Sequence, residues 1–164
     1  MAKKLLRNKL APEGLAFMYN IADCTISVSD AEGFGLATLE SLACETPIIA
    51  TMTGGLQEQL TDGENWFGIG LEPTSKAVIG SQEIPFIYED RLSQEVVVNA
   101  LKEFYNMSQE DRKALGKAGR GHVMNNYSME QYAERWEKLF ESVLEQHGSW
   151  ETRKGYKPWE LLEV

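Results

Sequence analysis

Behind Pro12, a residue suited to a first helical turn, Leu15, Met18, Tyr19 and Ala22 recur at helical spacing and predict a helix over 12–22. Residues 25–29, Thr-Ile-Ser-Val-Ser, alternate polar with β-branched apolar positions, which predicts a strand. Two glycines punctuate the turn over 30–35, and a short helical pattern occupies 36–44. The apolar run Pro47-Ile48-Ile49-Ala50 predicts a second strand, closed by a loop holding Gly54 and Gly55. Another helical turn begins at Leu56, and Asp62-Gly63-Glu64-Asn65 is an exposed turn. This order of helix, strand, helix, strand, helix predicts an α/β fold on a short, mostly parallel sheet.

The pattern weakens over 66–91. Residues 67–71 and 84–88 are strand candidates, and 73–82 between them reads as an exposed excursion longer than a simple connection. Three helices follow, over 95–106, 109–126 and 129–146, with Ser108 and Asp111, then Ser128 and Gln131, placed as N-terminal caps. Trp136, Leu139, Phe140, Val143 and Leu144 form an apolar stripe on the last of them. Gly148 ends that helix. The organisation expected is a domain over 1–147 and a tail over 148–164 that carries Trp150, Tyr156 and Trp159.

A chain of 164 residues with 43% hydrophobic and 10% aromatic content fits a packed core rather than disorder. No apolar run approaches the ~20 residues of a membrane span. The basic start, with Lys3, Lys4 and Arg7, lacks the long apolar core and cleavage site of a secretion signal. A formal charge of −9 argues against nucleic acid held by its backbone phosphates. It leaves room for a small anionic nucleotide, which a few local hydrogen-bond donors are enough to bind. Cys24 and Cys44 have no CxxC spacing and no disulfide framework, so free thiols in a reducing cytoplasm are expected. His122 and His147 stand far apart with no Cys/His set at ligand spacing, so no metal site is expected.

The chemistry gathers at the first strand's end. A strand running into a glycine turn and then a helix brings free backbone N–H groups to one point, where the positive end of the helix dipole adds to them. Gly33 and Gly35 let that backbone approach a ligand with no Cβ in the way. In an open α/β sheet such a turn lies at the carboxyl ends of the strands, where ligands bind. Glu32 stands in the turn, and Glu40 lies one helical turn after Leu36 among apolar neighbours, where a carboxylate is costly without a partner. A ribose offers two adjacent hydroxyls to such a group. From the residues alone, a solvated turn glutamate and a surface glutamate remain equally open. Glycoside hydrolysis is not: two helical turns put the carboxylates about 12 Å apart, beyond the ~5–9.5 Å that hydrolysis needs.

Asp30-Ala31-Glu32-Gly33-Phe34-Gly35-Leu36 through Glu40, then residues 43–50, Gly54-Gly55 and Glu58, resembles the retaining family 4 glycosyltransferases of the GT-B fold. The two glutamates have the seven-residue gap of that family's paired-glutamate motif, and the flanks at 19–23 and 62–65 match as well. The resemblance is detailed over 11–67 and looser to about residue 140. It implies a partial Rossmann-like C-terminal domain and transfer of a hexosyl group from a nucleotide-diphosphate sugar, with retained configuration, no cofactor and no obligatory metal. Glu32 is implied as the catalytic-site carboxylate on the transferred sugar's hydroxyls. Gly33, Phe34, Gly35 and Leu36 are implied at the sugar and diphosphate, and Glu40 at the nucleotide ribose. Gly54 and Gly55 would shape the neighbouring loop, with Glu58 as its buttress.

The pattern departs at Glu45, where the family has glycine, so a different helix end or a small backbone strain is expected. The acceptor domain and the first half of the sugar-donor domain have no counterpart here, and Lys3, Lys4, Arg7 and Lys9 do not match the family's basic pair on the diphosphate. The strand over 25–29 is then expected to keep an open edge, which invites pairing with a second copy or a companion chain that carries the missing half. The tail aromatics are placed either on such a partner or on their own domain. Two other functions stand beside transfer: a nucleotide-sugar 2-epimerase-like isomerase on the same architecture, and a non-catalytic nucleotide-sugar-binding or interaction module.

Overall fold

The structure is a computed structural model that describes residues 10–154. Lys3, Lys4, Arg7, Lys9, Tyr156 and Trp159 lie outside the described residues. Those described fall into two compact units, one ending at Asn125 and one starting at Asn126.

In the first unit helices and strands alternate as α1 (Pro12–Asn20), β1 (Thr25–Ser27), α2 (Leu36–Ala43), β2 (Ile48–Thr51), α3 (Leu56–Leu60) and β3 (Ile69–Leu71). The strands are parallel in the order β1-β2-β3, with Thr25 opposite Ile48 and Ile49 opposite Ile69. An antiparallel hairpin of β4 (Ser75–Ile79) and β5 (Ile87–Arg91) follows, then α4 (Gln94–Asn106) and α5 (Gln109–Asn126).

All four residues of β2 are buried, as a parallel strand covered on both faces requires. On one face Ile49 joins Leu71, Ala100 and Phe104 in a core beneath α4. On the other, Gly68 admits Ile48 and Leu60 so closely that a Cβ there would stand 2.5 Å from Leu60 Cδ2. Hydroxyls tie the layers together. Ser41 Oγ on α2 donates to Thr25 Oγ1 at 2.8 Å and lies 3.1 Å from the Thr46 carbonyl. Thr46 Oγ1 in turn donates to the Tyr19 carbonyl at 2.9 Å.

Three features differ from the sequence reading. β1 stops at Ser27, and the Ser27 and Ser29 hydroxyls come within 3.4 Å just beyond it. The stretch 73–82 is not an excursion but supplies strand β4, and its partner starts at Ile87 rather than at residue 84. The turn explains that shift: Ser81 N donates to the Ile84 carbonyl at 2.9 Å, and Ser81 Oγ accepts from the amides of Glu83 and Ile84. Ser93, not singled out in the sequence, caps α4 by accepting from Val96 N at 3.3 Å. The caps expected at Ser108 and Ser128 are present on Asp111 N and Gln131 N. In the second unit, α6 (Met129–His147) ends at Gly148, with φ of 76°. Its apolar stripe is present but exposed, Trp136 by 41% and Leu144 by 55%, and Tyr132, Trp136 and Phe140 form a ladder of ring contacts along it.

β1 hydrogen-bonds to β2 alone among the described residues, and Ile26 and Val28 are half exposed. Both cysteines are free, and burial pushes the Cys24 thiol up to about 11. The departure at Glu45 has the cost foreseen, since its φ is 60°, in the left-handed region. Its carbonyl is crowded by α5, where a Cβ on Gly116 would stand 2.1 Å from Glu45 O. Gly116→Ala is therefore expected to lower stability by about 1–3 kcal/mol. Glu45→Gly should leave stability unchanged or raise it by up to about 1 kcal/mol, because relief of the left-handed strain exceeds the entropy glycine adds to the unfolded chain. Urea unfolding of both variants measures this, and a Gly116→Ala chain as stable as the parent would contradict the packing of α5 on Glu45.

Candidate functional site

Two loops at the carboxyl ends of β1 and β2 meet backbone to backbone. Gly55 N donates to the Gly33 carbonyl at 3.0 Å. Gly54 has φ of 51°, and a Cβ there would fall 1.7 Å from the Glu32 carbonyl oxygen. On Gly55 it would fall 2.7 Å from the Gly33 carbonyl, and on Gly35, where φ is 88°, 2.3 Å from Leu56 Cδ2. Gly54 and Gly55 thus hold the first loop by close approach. Gly33 differs, for its Cβ would meet nothing within 4 Å.

Gln59 completes the clasp. It is fully buried on α3, and its Nε2 donates to the Phe34 carbonyl at 2.6 Å. Glu58, read from the sequence as a buttress of the Gly54-Gly55 loop, is exposed, and its carbonyl lies 2.9 Å from His122 Nε2. A signal for Gln59 was present: with Leu56 and Leu60 it occupies the i, i+3, i+4 face that is otherwise apolar.

The clasp aims the start of α2. Gly35 stands at the N-cap in the left-handed conformation, and no side chain caps the helix there. Helix geometry leaves the first amides of α2 without an intrahelical acceptor, and among the described residues no side chain accepts from them, so the positive end of the helix is open. Phe34 and Leu36 flank it, 46% and 68% exposed. The Glu32 carboxylate turns back so that its Oε1 accepts from Gly33 N at 3.1 Å. A ligand anion that takes this amide must displace the carboxylate, whereas a sugar hydroxyl can donate to it in place.

Glu40 lies on the outer side of α2, and its Oε2 accepts from the Tyr19 hydroxyl at 2.9 Å. Burial, then the bond to Glu40 and its charge, push the Tyr19 phenol up to about 12. The pair borders a cavity of about 220 Å³ otherwise lined by Pro12, Leu15, Ala16, Ala43 and Cys44. Tyr19 had no assigned role in the sequence, because a contact across 21 residues leaves no local pattern. Larger cavities of about 580 and 550 Å³ both border Asp23 and Arg112, and neither includes a residue of the glycine loops. Among the described residues no group of three His, Cys, Asp or Glu is placed to hold a metal ion, and no helix is long and apolar enough to cross a membrane.

The family model described as glycosyl transferases group 1 matches residues 7–122. The chain belongs to this family. A D-inositol 3-phosphate glycosyltransferase of Acidothermus cellulolyticus is 45% identical over 56 residues, which are 34% of this chain and 12% of that protein. D-inositol 3-phosphate glycosyltransferase 2 of Catenulispora acidiphila is 32% identical over 114 residues, 62% of this chain and 27% of its own. Among solved structures, the sucrose-phosphate synthase of Thermosynechococcus elongatus superposes with a TM-score of 0.62 at 26% identity, covering 84% of this chain and 29% of that one. The group 1 resemblance and the GT-B type of α/β fold read from the sequence are thereby established. The chain spans only a minor part of the length of these relatives.

The glycines of the group 1 loops divide by what surrounds them, and that division is measurable. Gly54→Ala should cost about 2 kcal/mol or more, since its Cβ meets backbone and its φ is left-handed. Gly33→Ala should leave stability within about 0.5 kcal/mol of the parent. Thermal unfolding of the two variants compares them directly; equal losses would mean that the loops do not meet as described.

Proposed function

We propose that this chain forms the sugar-donor-binding part of a retaining glycosyltransferase that takes a hexosyl group from a nucleotide-diphosphate sugar. One observation carries the reading: α2 begins on Gly35 without a side-chain cap, with the Glu32 carboxylate in the turn just before it and the Glu40 carboxylate on the helix itself, held by Tyr19. The amides of Phe34, Gly35 and Leu36 donate to the diphosphate, aided by the dipole of α2, and the Gly33 amide joins them once the Glu32 carboxylate leaves it for the sugar. Glu32 accepts from hydroxyls of the transferred sugar at the reacting centre, and Glu40 accepts from the ribose. Transfer also needs an acceptor held against the sugar donor, so this chain's own contribution is binding and orientation. Its relatives carry transferase names, which lends no support to an epimerase or a non-catalytic module.

We further infer that the edge of β1 that has no partner strand among the described residues, with Ile26 and Val28 half exposed, is covered by a second copy or by a companion chain bearing the remainder of the fold. The unbridged Cys24 and Cys44 fit a reducing compartment such as the cytoplasm. Light scattering across micromolar concentrations is expected to show an oligomer; a monodisperse monomer throughout removes the second copy as the occupant.

Thermal shift and calorimetry with uridine and guanosine diphosphates, and with their sugar conjugates, test the site. One nucleotide should stabilise the chain at millimolar concentration. Glu40→Ala should weaken free nucleotide and conjugate alike. Glu32→Ala should act mainly on the conjugate, because only there does a sugar reach it. Gly33→Ala should weaken binding with the fold intact. No stabilisation by any of these ligands, together with no effect of Glu40→Ala, would sink the reading.

A further inference from the structure

This inference rests on the donor-binding reading and concerns what holds Glu40 in place. A glutamate exposed on a helix samples several rotamers, and a ligand that needs one of them must order the others away. Tyr19 has already done so. Its hydroxyl is 2.9 Å from Glu40 Oε2, and its own backbone is fixed, since its carbonyl accepts from the buried Thr46 Oγ1 at 2.9 Å. Both ends of Tyr19 are thus tied to the segment that runs from α2 into β2. The phenol is pushed up to about 12, so it keeps its proton and remains a hydrogen-bond donor at neutral pH. It engages one oxygen only. Glu40 Oε1, and the remaining lone pair on Oε2, stay available to hydroxyls beside the apolar cavity of about 220 Å³.

We propose that Tyr19 is a positioning residue whose hydroxyl presets Glu40 in the rotamer that receives the ribose diol of a nucleoside diphosphate. The competing role for Tyr19 is to pin α1 to α2 and nothing more. A purely structural tether weakens every ligand of the site equally. A preset carboxylate matters only to a ligand that has the diol.

The experiment is calorimetry on the full chain with uridine and guanosine diphosphates and the 2′,3′-dideoxy counterpart of whichever binds more tightly. The parent, Tyr19→Phe, Glu40→Ala and the double variant are compared. Tyr19→Phe is expected to weaken the ribonucleotide about tenfold, the scale of one hydrogen bond to a charged group, and to leave the dideoxy nucleotide unchanged. The double variant should bind no more weakly than Glu40→Ala alone, because the two residues act as one unit. Parent-like ribonucleotide affinity in Tyr19→Phe, with Glu40→Ala impaired, overturns the positioning role and leaves the donor site standing. Equal losses for both probes overturn it in favour of the helix tether. A Tyr19→Phe chain that melts early is assayed below its transition, where the ratio of the two probes still separates these outcomes. Failure of Glu40→Ala to change ribonucleotide binding, or of the parent to bind either nucleotide, overturns the donor reading and this inference with it.

Discussion

Two backbone loops share a space that admits no side-chain carbon, and the rest of the site is set by that contact. The carbonyl of Glu32 lies where a Cβ of residue 54 would be, and the Gly33 carbonyl takes the amide of Gly55. Because the second loop leads straight into α3, the contact also fixes where Gln59 emerges beneath Phe34. A buried amide bonded to a backbone carbonyl is a stiff link, since breaking it strands two polar groups in a dry place. The glycine turn after β1 is consequently held from below by Gln59 and from the side by Gly54 and Gly55. Only its outer surface, with Gly33, Phe34 and Leu36, faces outward. The direction of α2, and with it the position of Glu40, follows from the same contact through Gly35, whose missing Cβ makes room for Leu56.

In a chain with formal charge −9, any anion site requires charges separated over short distances. The helices give a measure of this. Serines 93, 108 and 128 close the starts of α4, α5 and α6 with side-chain acceptors, whereas α1, α2 and α3 begin on residues that supply none. The far end of α2 is neutralised, as Arg120 donates to the Ala43 carbonyl at 2.7 Å. The positive end is left exposed and the negative end is covered. The two glutamates do not spoil this arrangement if they meet hydroxyls rather than phosphates. A carboxylate accepts from a hydroxyl at little electrostatic cost, while beside a diphosphate it would repel. The carboxylates are kept apart from the head of the helix by their own partners, Glu32 on the Gly33 amide and Glu40 on the Tyr19 hydroxyl.

Much of this was legible before any coordinates. Apolar spacing located α1 to α3 and the last three helices, because each has a one-sided stripe or a serine at its head. The glycine turn was legible from Gly33 and Gly35, and both glutamates from their places in the turn and on the helix after it. The hairpin over 75–91 was not. Its first strand, Ser75 to Ile79, has no buried face in this unit to impose a strict alternation, and the turn at 81–84 is built by a serine side chain rather than by an Asn-Gly or Asp-Gly pair. Nor were the two polar clamps legible as clamps. Gln59 was visible as a polar residue on an apolar face, but its partner, the Phe34 carbonyl, is 25 residues away. Tyr19 reads as ordinary helix-face apolar surface until the fold sets α1 against α2.

The glycines carry the last step. A glycine can be required by folding, by a ligand, or by neither, and the surroundings of a Cβ built on it tell these apart. Gly35 and Gly54 have left-handed backbones and immediate clashes, and Gly55 clashes with two carbonyls, so folding alone accounts for all three. Gly33 has no left-handed backbone and open space where its Cβ would be. Nothing in the fold asks for glycine there. In the middle of the turn that leads into α2, no side-chain atom stands where a Cβ of residue 33 would be, while the amide of Gly33 is held by the Glu32 carboxylate. The loops thus contain their own control: Gly35, Gly54 and Gly55 serve the clasp, and Gly33 does not.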